Sequence, residues 1–304
     1  MLDFASGTML LRAEVMRLGY VFAVIVAVGL SSAPVMALNQ KDVADCDQEA
    51  DSDRSIAGCT RLIEFGNLTN QVRTVAYFQR GNAWYHKGDL DHAIADYDET
   101  IRLHGWTGSN IDPVVIKTRQ GVYTNRGLAW RDKGDLDRAL ADQNEAIRLD
   151  PKWYNTHANR GEIWRLKGDM DRAITDQDEA IRLYPKFPLA YVLRGDTLRY
   201  KGELDRALPD YDQALRLSPN YIPAFTGRGL TYEKMGDLAR AHGEFQKALA
   251  SPSQLKAADI SKSSLETARA HLAALASGAP PGRRPLGSRE PGPADCPRRW
   301  QFGL

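Results

Sequence analysis

The sequence predicts an all-α fold built from repeated antiparallel helix pairs. Three observations carry this expectation. The phrase Lys-Gly-Asp-Leu-Asp recurs in variants whose glycines are Gly88, Gly134, Gly168, Gly202 and Gly236, and the last three gaps are each 34 residues. Small and bulky residues fall into columns at the same period and at helical spacing. Hydrophobic residues make up 43% and charged residues 26% of the 304 positions, which excludes a polytopic membrane protein, a collagen-like fibre and a mostly disordered chain. A formal charge of +1 offers no global field for nucleic acid or an anionic membrane, and three cysteines are too few for a disulfide-dense scaffold or a four-cysteine zinc site.

The chain opens on a targeting segment. No charge lies between Leu18 and Leu38, the apolar centre runs from Tyr20 to Leu30, Arg12 and Arg17 precede it, and Val35-Met36-Ala37 follows. That order predicts a secretory signal peptide cleaved after Ala37, and a periplasmic or secreted product. The alternative is an uncleaved membrane anchor over residues 18–38. The start Leu2-Asp3-Phe4 is unusual for a signal, so Met9 and Met16 compete with Met1 as initiator. No cysteine follows the small residues, which disfavours a lipid-modified terminus.

Five copies of the repeat follow, at 74–107, 120–153, 154–187, 188–221 and 222–255. A second glycine column is Gly81, Gly127, Gly161, Gly195 and Gly229, and an alanine column is Ala93, Ala139, Ala173, Ala207 and Ala241. Aromatic residues recur at Tyr77, Tyr123, Tyr191 and Phe225, with His157 in the third copy, and a bulky column reads Trp84, Trp130, Trp164, Leu198 and Tyr232. Tyr123, Gly127 and Trp130 stand at i, i+4 and i+7, one stripe of a helix; Leu136, Ala139, Leu140, Gln143 and Ile147 form a second stripe after Gly134-Asp135. Glycine ends the first helix in the left-handed conformation and aspartate caps the next. Facing glycine and alanine let the two axes approach, and Pro151, Pro185 and Pro219 close three copies. Such a pair cannot bury its apolar face alone and must stack.

These columns resemble the tetratricopeptide repeat family over residues 74–255. The resemblance implies a right-handed α-solenoid whose first helices line a concave groove that holds extended or helical peptide segments. There are departures. Gly105 stands where proline is usual, Gln143 and Gln177 occupy a bulky column of the second helix, and Pro209 is expected to kink its helix near Asp205. The implied groove residues are Phe78, Asn82 and Tyr85, then Thr124, Leu128 and Arg131. The third copy adds Asn155, Ala158, Glu162 and Arg165, the fourth Leu189, Val192, Asp196 and Arg199, and the fifth Thr226, Leu230 and Glu233. Arg131, Arg165 and Arg199 make a stripe suited to a partner's carboxylates, against which stands self-pairing with Glu162 and Asp196 at i, i+3. The lysine and asparagine set with which some members clamp a C-terminal carboxylate is missing.

Upstream, residues 53–63 match 91–101 at an offset of 38, so 38–73 holds a degenerate helix pair. There Cys46 falls in the column of Trp84 and Cys59 in that of Tyr97; after export a Cys46–Cys59 disulfide is expected, the alternatives being two buried thiols or a metal or redox site. The insertion at 108–119 contains Asp112-Pro113, a helix start, which predicts a long first helix from Pro113 to Asp132; a loop covering the groove is the alternative. Residues 256–276 predict a capping helix beginning near Ser264, and 277–304, with six prolines and five glycines, a disordered tail carrying an unpaired Cys296.

No zincin motif, phosphate loop, dinucleotide fingerprint, nucleophile elbow or Cys-x-x-Cys occurs, and the six histidines lack ligand spacing. Arginine precedes glycine in every copy (Arg80, Arg126, Arg160, Arg194, Arg228), with an acid sixteen residues on at Asp96, Asp142, Asp176, Asp210 and Glu244. A catalytic group is needed once; a residue present five times is scaffold. The expectation is a protein–protein scaffold that is not an enzyme and needs no cofactor or metal, with a protein or peptide partner and no nucleic acid. An accessory or catalytic component of an envelope enzyme system and a self-assembling structural repeat are the alternatives.

Overall fold

The computed structural model describes residues 40–48, 50–65, 68–103, 113–251 and 259–277. The predicted signal with its cleavage site, the anchor alternative at 18–38, the first part of the insertion, and the tail with Cys296 lie outside the described residues. Among the described residues there are thirteen helices and no strand. The chain divides into two compact units, one ending at Ala129 and the other beginning at Trp130.

The first unit starts with two short helices, α1 (Gln40–Cys46) and α2 (Ser52–Glu64), followed by the pair α3 (Asn70–Lys87) and α4 (Leu90–Leu103). The helix α5 (Pro113–Asp132) then begins at the proline whose fixed φ suits a first helical position, with the bounds expected from the sequence. Helix α2 packs on both α1 and α3, and α3 lies along α4. The core beneath α1–α3 gathers Val43, Cys46, Cys59, Leu62, Val75 and Ala76. Cys46 and Cys59 are joined by a disulfide with Cα atoms 4.5 Å apart. The close approach is made at Gly58, where a Cβ would stand 2.6 Å from Cys46 N and from Asp45 Cβ. The full copy has a different register: Tyr97 lies over Gly81 and Trp84 stacks on His92 at 4.9 Å. The cysteine contact therefore belongs to the short pair's own geometry rather than to the columns of Trp84 and Tyr97.

The second unit continues with α6 (Leu136–Leu149), then the pairs α7 (Tyr154–Leu166) with α8 (Met170–Leu183), α9 (Pro188–Lys201) with α10 (Leu204–Leu217), and α11 (Ile222–Lys234) with α12 (Leu238–Ala250). The last helix is α13 (Asp259–Ala276). Partners within a pair pack antiparallel, each second helix packs on the next first helix, and α13 lies on α11 and α12 as a further first helix would. The core is accordingly serial. One cluster joins Ala139, Leu140 and Ile163, another Tyr191, Leu198, Ala207, Tyr211 and Ala224, and a third ties Ile222, Phe245 and Ala248 to Ala268 of α13.

The hairpin turns within the five repeat copies each close on a left-handed glycine. Gly168 has φ 84°, a value that costs a side-chain-bearing residue about 1 kcal/mol or more, and the amides of Gly168 and Asp169 close back on Arg165 and Trp164 carbonyls. Asp169 then accepts from the Arg172 amide at 3.0 Å and caps α8; Asp135 and Asp237 do likewise. Glu203, one methylene longer, makes no such cap on α10. Helix α10 runs unbroken through Pro209. That residue is exposed, so the Asp205 carbonyl deprived of its helical donor can be hydrated.

Candidate partner-binding face

The arginine that precedes each glycine holds the scaffold together, and its surroundings decide which charges remain for a partner. Arg80 gives Nε and Nη2 to Asp96, each at 2.8 Å; Arg160 binds Asp176 at 2.7 and 2.6 Å, Arg194 binds Asp210 at 2.9 and 2.6 Å, and Arg228 binds Glu244 at 2.9 and 2.6 Å. The four acids are buried and the arginines largely covered, so these forks are charge-assisted bonds within the scaffold, as the recurrence of both residues implied. The remaining arm, Nη1, reaches the preceding second helix: Arg160 to Asn144 at 2.8 Å, Arg194 to Asp178 at 2.6 Å and Arg228 to Asp212 at 2.5 Å. In the first unit, Arg80 reaches Thr60 at 3.0 Å and Arg126 reaches Asp98 at 2.6 Å. This arm is absent from the reading of the sequence, although Asn144, Asp178 and Asp212 all stand sixteen residues before their arginine.

Hydrogen bonds to Asp210 and Asp178 hold Arg194 far above the ordinary arginine range, and the bond to Asp96 raises Arg80. Burial pushes the Asp96 and Asp210 carboxyls up against the pull of their arginines. Burial acts the same way on Asp176, but there Arg160 and His157 together outweigh it and the carboxyl lies below its usual value.

The predicted face residues are mostly enclosed. In the first unit Phe78, Tyr85, Thr124 and Leu128 are buried; Phe78 meets Tyr97 with ring centroids 6.1 Å apart, and a Cβ on Gly121 would stand 3.6 Å from its ring. Asn82 is half-buried, with its Oδ1 accepting from the Tyr97 hydroxyl and from Asn125 Nδ2, both at 2.9 Å. In the second unit Arg131 is 0% exposed and pairs with Asp132 at 2.7 Å. Asn155, Ala158, Leu189, Val192 and Thr226 are buried as well.

The acid–base pairs on this face close on themselves. Arg165 gives both fork nitrogens to Glu162, at 2.8 and 2.6 Å. Arg199 reaches Asp196 at 3.3 Å, and the Tyr211 hydroxyl donates to the same carboxylate oxygen at 2.8 Å. Both guanidiniums lie against the Tyr200 ring, 4.8 and 4.6 Å from its centroid. Burial drives the Tyr97 and Tyr211 hydroxyls well above their ordinary value, so both remain neutral donors. At the far end α13 takes up the fifth copy's face: Thr226 Oγ1 donates to the Ser264 carbonyl at 3.2 Å and His271 Nδ1 lies 2.6 Å from Glu233 Oε2.

Among the described residues no group of three or more His, Cys, Asp or Glu is placed to hold a metal ion, and no helix is long and apolar enough to cross a membrane.

Comparison with known proteins agrees with the residue columns. A family model described as tetratricopeptide repeat matches residues 121–152, and one described as TPR repeat matches residues 195–236. No curated protein matches the chain. Among solved structures, a tetratricopeptide repeat protein from Parabacteroides merdae is 17% identical and aligns over 79% of this chain and 85% of its own, with a TM-score of 0.61. A thermophilic TPR protein of Thermus thermophilus is 18% identical over 64% of this chain and 98% of its own, with a TM-score of 0.51. The protein MamA is 24% identical over 58% of this chain and 90% of its own, with a TM-score of 0.45. The repeating columns, the two family models and the stacked helix pairs converge, and the chain carries tetratricopeptide repeats.

Proposed function

We propose that the protein is an exported scaffold, not an enzyme, and that the first helices α7 and α9 of the second unit present the face on which a segment of another protein docks. The observation that carries this reading is a division of labour among side chains. Positions that hold the copies together repeat almost unchanged: Arg80, Arg160, Arg194 and Arg228 each meet an acid sixteen residues on. On the face of the second unit some positions change from copy to copy, Asn155 and Ala158 on α7 against Leu189 and Val192 on α9, while the pairs Glu162–Arg165 and Asp196–Arg199 recur. Variation at face positions suits recognition of a particular partner, whereas catalysis requires a singular cluster of acids, bases or metal ligands. The buried Cys46–Cys59 bond supports the export part of the reading, because such bonds persist in oxidising compartments.

Site-specific photo-crosslinking in the native host tests the docking face. A crosslinker at Arg165 or Asp196 is expected to trap one partner protein, and a crosslinker at the outward Arg182 to trap none. Capture of the partner from Arg182 alone would refute the assignment. Fractionation of the same cells, with peptide mapping of the mature N-terminus, checks export and cleavage after Ala37.

A further inference from the structure

We propose that His157 makes the join between the second and third copies a pH-sensitive fastening, tighter in mild acid than at neutral pH and above. The fourth copy shows the same position with an aromatic residue: the Tyr191 hydroxyl donates to the Pro185 carbonyl at 3.1 Å. Thirty-four residues earlier stands His157, with Nε2 2.9 Å from the Pro151 carbonyl. A carbonyl accepts only, so the ring proton of the neutral imidazole sits on Nε2. Nδ1 then carries a lone pair. It is buried without a hydrogen-bond partner, 3.9 Å from Asp176 Oδ1, and the two side chains are 8% and 7% exposed. A lone pair aimed at a carboxylate is repulsive. A second proton on the ring turns it into a donor toward Asp176, and the cation bonds at both ends.

The charged groups around the ring come from every neighbouring segment. Asp176 and, farther along α8, Glu179 favour the cation, and Arg160 on α7 itself opposes it. From α6 the neutral amide of Asn144 takes the third arm of Arg160. Arg194 of α9 is turned to Asp178 and Asp210, and in the turn Asp150 caps the Lys152 amide. Burial works against the imidazolium, but the bonds to Asp176 and to the Pro151 carbonyl outweigh it and lift His157 above its ordinary value of 6.5.

A raised value in the folded state makes the contribution full below 6.5 and lost as pH climbs through the folded value. One proton thus ties the Pro151 turn, α7 and α8 together, and α7 carries Asn155, Glu162 and Arg165 of the proposed docking face.

Nuclear magnetic resonance titration of the full chain, with hydrogen exchange at pH 5.5 and 8.5, tests the inference on wild type, His157→Tyr and His157→Phe. The His157 midpoint is expected above 6.5. Amides of α7 and α8 should gain protection at the lower pH, about tenfold for each unit by which the midpoint exceeds the unfolded value, after correction for intrinsic rates. His157→Tyr retains a donor for Pro151 and is expected to lose that pH dependence; His157→Phe loses it together with the donor. A midpoint at or below 6.5, or a tyrosine variant with the wild-type pH dependence, overturns the proposal. The wild-type midpoint decides alone if the variants do not fold.

Discussion

The side chain that repays closest attention is the arginine before each scaffold glycine. Arg194 spends two nitrogens on Asp210 in its own pair and the third on Asp178 in the pair before, so one residue closes a hairpin and joins two hairpins. Only a planar fork can do both, since a lysine is a single point charge. Arg194→Ala leaves Asp210 buried without its cation and is expected to cost on the order of 2–3 kcal/mol, somewhat below the cost for a fully enclosed pair because Arg194 keeps some exposure. Arg194→Lys should recover less than half of that loss. Arg182→Ala, which removes an exposed pair with Glu179, should leave stability nearly unchanged, because such a pair is screened by solvent. Urea unfolding of the three variants checks the order. Half of this device was legible in the sequence. Arg194 and Asp210 stand at a constant spacing within a copy, but the contact with Asp178 depends on how one copy packs on the last, which no single copy's pattern contains. The same limit applies to the docking face: the family resemblance implied Phe78, Tyr85 and Arg199 as face residues, and only packing against neighbouring helices buries them.

At the scale of the helix, the ends were readable because their chemistry is local. Gly168 needs its left-handed φ and Asp169 needs only to reach an amide three residues on, so both followed from neighbouring letters. Pro113 announced the start of α5 for the same reason. The contrast among the turns yields a stabilising substitution. Asp135, Asp169 and Asp237 cap their helices, while Glu203 at the equivalent place does not. Glu203→Asp is therefore expected to stabilise the chain by about 0.5–1 kcal/mol through the Arg206 amide, and a thermal melt following ellipticity would show it. Gly202→Ala, in the preceding residue with φ 90°, should lose about 1 kcal/mol or more.

Among the described residues the core is a series of local clusters, one in the first unit and three along the second, each shared by adjoining helices. Stability in such a chain is close to a sum of nearest-neighbour terms. The Cys46–Cys59 bond closes a loop of sequence separation 13, for which chain entropy predicts a contribution of about 3 kcal/mol. Reduction should therefore speed amide exchange in α1–α3 and leave α9–α12 unchanged; a uniform change along the chain would count against nearest-neighbour behaviour. The pairing of Cys46 with Cys59 was legible from the offset match, but the reason it forms was not. The closeness comes from Gly58 under a hairpin that lacks the Gly-Asp turn of the later copies, and only coordinates show that register.

The backward reach of each guanidinium has a consequence for the gene. Excising 154–187 would bring Arg194 to the place Arg160 holds now, opposite Asn144, with Asp210 still supplied from its own copy. No buried ion is orphaned by such a splice, because donor and acceptor travel in phase with the unit that is lost or gained. Lengthening or shortening by whole modules is thus electrostatically neutral, and a lineage can vary its reach by recombination without having to reinvent its joints.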